Sequence, residues 1–324
     1  SVRSRPLLYN PDPMKSQATT SDKPATIARD GWPIRSYYDL TKPRVVGLIV
    51  FTAIVGMFLA TNEMVPFVRL VLAAAGIGLG AASGAVLNHV LDRNADAVMA
   101  RTQARPLPTG AVGTLGALIL ALTLAILSMV LLVMWVNFLT AALTFASMIG
   151  YGVIYTVFLK YATPQNIVIG GAAGATPPVL GWVAVTGSVS ADALLLFLII
   201  FCWTPPHFWA LALYRREEYA SAGIPMLPVT HGMRYTRLQI LLYTALLCAV
   251  TLLPFGTQMF GIVYLAGSVI LNIGFVYYAV RLYKNYSDAL ARQTFSYSIQ
   301  YLAMLFGLML IDHHAASLVA LITG

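Results

Sequence analysis

Long apolar blocks separated by short polar turns dominate this chain. Stretches of roughly 20 apolar residues, the length a helix needs to cross a bilayer, fall near 45–62, 66–91, 111–136, 138–159, 165–187, 191–213, 238–255, 259–281 and 295–322. The pattern predicts an all-α polytopic membrane protein of about nine transmembrane helices, with no room for a separate soluble domain. Residues 1–36 depart from it: Pro6, Pro11, Pro13, Pro24 and Pro33 lie among mixed charges, and no apolar core of a secretory signal is present. They read as a mobile polar cytoplasmic tail ahead of a membrane domain over 37–324.

Composition agrees with this reading. The chain is 59% hydrophobic and 10% charged, with mean hydropathy +0.77, whereas soluble domains carry roughly 25% charged residues. The net charge of +8 raises nucleic acid as a partner, but the placement of the charges points to the lipid bilayer. With the amino terminus inside, every lysine and arginine except Arg69 falls on the inner side, a strong positive-inside bias. This supports nine spans and puts Gly324 outside. Asp12, Asp22, Asp30 and Asp39 argue against a mitochondrial presequence, so a bacterial plasma membrane is expected rather than a mitochondrial inner membrane. Cys202 and Cys248 both lie in spans and fit no metal or redox spacing.

Candidate chemistry gathers where apolar blocks end. Continuing the second span as a helix puts Asn88, Asp92 and Asp96 one turn apart on one face. Two carboxylates and an amide oxygen suit a hard cation such as Mg²⁺, which shares its shell readily with phosphate. Arg93, Arg101 and Arg105 follow and can hold phosphate oxygens, before Pro106 and Pro108 end the segment. His89 points about 100° away from the acidic face and is left out. Gly76, Gly78, Gly80 and Gly84 lie inside an apolar helix without a preceding strand, so they read as close-packing residues and not as a nucleotide loop. Lys42 and Arg44 open the first span, as lipid anchors or as further phosphate contacts.

Paired prolines interrupt two spans, Thr176-Pro177-Pro178 and Trp203-Thr204-Pro205-Pro206-His207-Phe208-Trp209. Such breaks in a bilayer need cover from protein or a cavity, and predict two broken helices around a central cavity for something large and flat. Trp203, His207, Phe208 and Trp209, with Tyr155 and Trp182, are its candidate walls. After the sixth span a second charged turn, Tyr214-Arg215-Arg216-Glu217-Glu218-Tyr219, echoes the first. The third and fourth spans show only packing residues. Asp312-His313-His314 fall inside the ninth and read as satisfied polar groups.

The Asn88/Asp92/Asp96 spacing resembles the first aspartate-rich motif of the UbiA superfamily of intramembrane prenyltransferases. Four further stretches, Leu40–Val45, Thr163–Gly171, Thr204–Leu211 and Tyr219–Pro228, resemble its haem-farnesylating branch. The resemblance runs from about residue 37 to the carboxyl end. It implies a helical bundle around a central cavity and transfer of farnesyl from farnesyl diphosphate to haem B. It also implies a possible downstream partner, a haem-modifying enzyme or a terminal oxidase assembly. In that scheme Asn88, Asp92 and Asp96 hold Mg²⁺, and Arg101, Arg105, Lys160, Arg215 and Arg216 share the diphosphate charge. Tyr214 and Glu218 stand where many members carry a second aspartate motif, which this chain lacks. His207 orients the porphyrin, on its iron or on a propionate. Rival expectations are an aromatic-acid or chlorophyll-type acceptor, and a haem carrier or transporter.

Overall fold

The apolar blocks are helices throughout the computed structural model, which describes residues 33–99 and 102–315. α1 (Pro33–Leu40) meets α2 (Pro43–Leu59) at a 50° bend. Pro43 suits the first turn of α2, where its missing N–H is not needed, but it disfavours the right-handed helical region for the residue before it. Lys42 accordingly adopts the left-handed region, φ 50° and ψ 59°, at a cost of about 1–2 kcal/mol. α3 (Phe67–Leu91) is followed across Asp92 by α4 (Arg93–Val98), and then by α5 (Thr114–Trp135). α6 (Phe138–Ile149) widens into a π-helical stretch, Gly150–Leu159, and closes with a last α turn, α7 (Lys160–Ala162). α8 (Asn166–Gly174) and α9 (Pro177–Thr186) form the next span, and α10 (Ala191–Tyr214) the one after. Two short helices, α11 (Arg216–Ser221) and α12 (Leu227–Thr230), lead to α13 (Gly232–Gly256), α14 (Ile262–Lys284) and α15 (Asp288–His313).

Among the described residues eight helical stretches are long and apolar enough to cross a membrane, nine when α1 and α2 count as one bent span. This is a multi-pass membrane protein with the expected span count. Three expectations need correction. Of the two spans with paired prolines only one is interrupted, between α8 and α9. α10 runs unbroken through Pro205 and Pro206, because neighbouring helices shield a backbone that has lost single bonds. The fourth span is more than packing, since it carries the π-helical stretch. The ninth begins at Asp288 and not 295, so Asp312 stands at its end and not inside it. There Asp312 accepts from the N–H groups of Gly261 (2.5 Å) and Tyr264 (3.0 Å), satisfying the exposed start of α14. The tail before Pro33 and the expected outer position of Gly324 concern residues outside those described.

Close helix approach sets the shape of the bundle. Along α3, a Cβ on Gly76 would stand 2.6 Å from Leu132, and one on Gly80 2.7 Å from Thr144. Ser128 Oγ donates to the Gly76 carbonyl (2.6 Å) and Ser83 Oγ to that of Ala121 (2.8 Å), so α3 and α5 are joined by hydroxyls as well as by contact. α2 and α9 interlock reciprocally: a Cβ on Gly56 would run into the Pro178 carbonyl, and one on Gly181 into that of Ala53. Gly181→Val therefore forces backbone apart, where overpacking already costs about 1–3 kcal/mol. The expected result is a sharp fall in monodisperse protein recovered in detergent and a lower thermal midpoint. Gly187→Ala is no control here because Gly187 has φ 73°; Gly174→Ala, with open space around its Cβ position, should behave as wild type.

Candidate active site

α3 stops at Asp92, but the hydrogen-bond register runs on across the break: Asp92 N–H reaches the Asn88 carbonyl (2.9 Å) and Asp96 N–H reaches that of Asp92 (2.8 Å). The four-residue spacing is thus kept, and Asn88, Asp92 and Asp96 are all buried. Asn88 Nδ2 donates to Asp92 Oδ2 (2.9 Å) and to Thr156 Oγ1 (3.0 Å), while its Oδ1 accepts from Lys42 Nζ. Lys160 Nζ lies 2.7 Å from Asp92 Oδ1, and an Arg105 Nη 2.7 Å from Asp96 Oδ2. Two carboxylates face three cations, so the cluster has positive charge to spare for an anion. Burial pushes the Asp96 carboxyl up, but the nearby His89 and the hydrogen-bonded Arg105 guanidinium outweigh it and hold it below its ordinary value.

The expected residues are not all here. Arg105 and Lys160 join the cluster, whereas Arg101 lies outside the described residues. Arg93 turns away to Thr114 Oγ1 (3.2 Å). Arg215 pairs with Glu218 (2.7 Å) across one turn, Arg216 is exposed, and Tyr214 lies under Arg215 and Arg292, 5.6 and 5.2 Å from its ring centre. The second charged turn is tied to the first through an apolar floor containing Met99, Leu213 and Tyr219. His89, set aside on angular grounds, stands with Nδ1 3.8 Å from Asp96 Oδ2 and with neither ring nitrogen hydrogen-bonded. Seven residues apart, His89 and Asp96 lie within about 20° of each other round a helix, so they share a face. Thr156 was absent from the expected set, and Lys42, expected as a lipid anchor or a phosphate contact, reaches Asn88 from 46 residues away, a contact no local spacing signals.

Beside Lys42 opens a cavity of about 440 Å³, walled mainly by apolar groups from α2, α3, the π-helical stretch, α8, α9 and α10. The π winding stacks Tyr151 on Tyr155 (5.9 Å, 5° between planes), and both rings line it. Gly170 leaves the space that Tyr155 occupies. From α10 come Trp203, His207 and Phe208. Trp209 does not contribute: two residues on from His207 it points about 200° round the helix, and packs fully buried against Tyr243 (5.3 Å). Trp182 likewise belongs to the core.

The donor set fits a hard cation under one condition. Among the described residues no three His, Cys, Asp or Glu side chains converge as a self-sufficient metal site. Asp92, Asp96 and the Asn88 amide oxygen offer the right atoms, in the small number that Mg²⁺ accepts when phosphate and water complete its shell.

The model of the UbiA prenyltransferase family matches residues 49–307. Curated relatives named protoheme IX farnesyltransferase include those of Nitrosococcus oceani, 61% identical over 86% of this chain and 94% of that protein, and of Nitrosospira multiformis, 58% identical over 87% and 94%. Protoheme IX farnesyltransferase 1 of Pseudomonas putida is 59% identical over 88% and 96%. Among solved structures, one of digeranylgeranylglyceryl phosphate synthase superposes with TM-score 0.74 at 20% identity, covering 87% of this chain and 98% of its own. A UbiA homologue from Archaeoglobus fulgidus bound to DMAPP and Mg²⁺ gives 0.61 at 16%, covering 85% and 99%.

The ion pair between Lys160 and Asp92 has a measurable consequence. Lys160→Met leaves a buried carboxylate uncompensated, which costs about 3–5 kcal/mol. The thermal midpoint in detergent should fall clearly, and Lys160→Met combined with Asp92→Asn should recover part of the loss. Equal midpoints for wild type and Lys160→Met would show that the pair contributes nothing.

Proposed function

Because the chain belongs to the UbiA prenyltransferase family, we propose that it transfers the farnesyl group of farnesyl diphosphate to a vinyl group of haem B. Water adds in the same reaction, and the products are haem O and diphosphate. The observation that carries this reading is the meeting of two unlike environments: a buried acid–amide–cation cluster opens at Lys42 onto a mainly apolar cavity walled by aromatic rings and an imidazole. The sequence identity to proteins named protoheme IX farnesyltransferase supports haem as the acceptor. The membrane domain is assigned to residues 37–324.

Asp92, Asp96 and Asn88 would hold a divalent cation, assigned as Mg²⁺, which supplies charge neutralisation to the departing diphosphate. Lys42, Arg105 and Lys160 sit on those same groups and are placed to take up phosphate oxygens as diphosphate enters. Arg101, Arg215 and Arg216 remain candidates for the outer charge, with Tyr214 and Glu218 ordering Arg215. Cleavage of the farnesyl C–O bond sends its electron pair to diphosphate and leaves an allylic cation. Tyr151 and Tyr155 present aromatic rings beside the charged end, where their π electrons stabilise that cation. Apolar walls keep water off it until a vinyl carbon attacks. Water then captures the new cation next to the porphyrin and loses a proton, giving an alcohol.

Purified protein given Mg²⁺, farnesyl diphosphate and haem B should yield a product heavier by farnesyl plus hydroxyl, read by mass spectrometry. In labelled water the new oxygen should carry the label. Unchanged haem B beside a prenylated aromatic acid would overturn the acceptor, and haem binding without diphosphate release would favour a carrier. Asp92→Asn and Asp96→Asn should each reduce turnover by about 100-fold or more in protein that still folds, and near-wild-type activity in either would end the metal assignment.

Sidedness follows from the distribution of basic residues. We place the charged cluster at the cytoplasmic face of a bacterial plasma membrane and the carboxyl terminus outside. A reporter fused after Gly324 should be active only on the outer side; activity on the cytoplasmic side alone would reverse the orientation.

A further inference from the structure

His207 is held on three sides by groups that leave one ring edge uncovered. Trp203 stacks on one face (4.2 Å between ring centres, 19° between planes) and Phe295 on the other (4.5 Å, 25°), with Phe208 edge-on at 5.0 Å. Nδ1 is 2.7 Å from Ser298 Oγ. Among the described residues nothing is hydrogen-bonded to Nε2. With both faces stacked and Nδ1 engaged, the Nε2 edge is the part of the ring left to line the cavity and the smaller pocket of about 140 Å³ that His207 also borders.

The direction of the Ser298 bond is decided by a third group. Ser298 Oγ lies 2.6 Å from the Phe295 carbonyl, and two oxygens can share a hydrogen bond there only if the hydroxyl donates. A serine has one hydroxyl proton. With that proton on Phe295, Ser298 Oγ can only accept from His207, so Nδ1 carries the ring proton. In the neutral imidazole, Nε2 then bears a bare lone pair. Ser298 also anchors the neighbouring ring, since its carbonyl accepts from Trp203 Nε1 (2.8 Å). One buried residue of α15 thus fixes the tautomer, tilt and stacking partner of a histidine on α10.

We infer that Ser298 is a positioning residue for the acceptor: through His207 Nδ1–H it presents the Nε2 lone pair to the iron of the bound haem. This rests on the haem reading above and decides between the two porphyrin contacts open to His207. A propionate is an anion that accepts hydrogen bonds, and a bare lone pair repels it. Iron takes such a lone pair as an axial bond, and ligating histidines characteristically donate their other N–H to an acceptor that sets ring orientation.

The test titrates purified full-length protein with ferrous haem B and, in parallel, with metal-free protoporphyrin IX. Wild type should show absorption and resonance Raman features of a nitrogenous axial ligand. His207→Ala should remove them and weaken haem binding about tenfold or more, with protoporphyrin affinity unchanged within about twofold. Ser298→Ala should weaken haem binding by about 10-fold, within the range for losing an outer partner of a ligating histidine, and shift the iron–nitrogen stretching band. Ser298→Thr, which keeps the hydroxyl, should restore both. A Ser298 that only supports the fold would move both porphyrins together, and that result overturns the inference. So does an unshifted band with unchanged haem affinity in Ser298→Ala, or a wild type that farnesylates haem without any nitrogenous ligand. Should the alanine variant not fold, Ser298→Cys, similar in size and a poor acceptor, is expected to give the same separation between haem and protoporphyrin. Wild type that binds neither porphyrin and forms no farnesylated haem would instead refute the haem reading itself.

Discussion

Two carboxylates are kept charged at the end of an apolar bundle, and much of the structure serves that requirement. Desolvating an ionised carboxylate costs several kcal/mol, recovered only by close opposite charge and satisfied hydrogen bonds. Asp92 obtains its cation from Lys160 and Asp96 from Arg105, while Asn88 links Asp92 to Lys42 and Thr156. These partners come from the start of α2, the end of α3, the segment after α4, the π-helical stretch and α7. The same bonds that keep the acids ionised therefore fix where those segments meet. A site assembled this way has an excess of positive charge awaiting an anion.

The space next to that site depends on what is missing from the sequence. Gly170 makes room for Tyr155, a Cβ on Gly171 would stand 2.9 Å from Thr204, and Gly56 and Gly181 let α2 and α9 touch backbone to backbone. Close approach at these points lets the remaining helices stay apart around the cavity. The π winding adds a second device. Its wider turn lets Tyr151 and Tyr155 stack while Thr156 reaches Asn88, and Lys160, the first residue of α7, reaches Asp92, so the π stretch supplies both aromatic wall and a polar contact. Lys42, in the left-handed region at the cavity's charged end, adds local backbone strain where the two environments meet, a common place for it.

The two ends of the cavity divide the chemistry. One end carries the excess positive charge proposed to hold diphosphate, and the other carries the Trp203–His207–Phe295 stack proposed to face the planar acceptor. Solved structures at 16% and 20% identity share the fold, and a shared fold does not itself name an acceptor. The acceptor is argued from relatives at 58–61% identity together with the imidazole wall.

The sequence by itself determined the span count, the membrane class, the acidic stripe and the presence of His207, Trp203 and Phe208 on a special segment. Each of these is written in local spacing: about 20 apolar residues per span, four residues per carboxylate turn, two adjacent prolines. Even Trp209 was excludable from the wall by helical angle alone. Other features depend on encounters between segments distant in the chain. Lys42 reaching Asn88, Lys160 reaching Asp92 and Ser298 reaching His207 join residues 46, 68 and 91 positions apart. The unbroken course of α10 also depends on its neighbours, whereas Arg215 and Glu218 lie three residues apart and His89 and Asp96 seven, pairings that helical spacing could have signalled. Hydrogen bonds and ion pairs are directional and short, so their partners are chosen only when packing has fixed which helices touch.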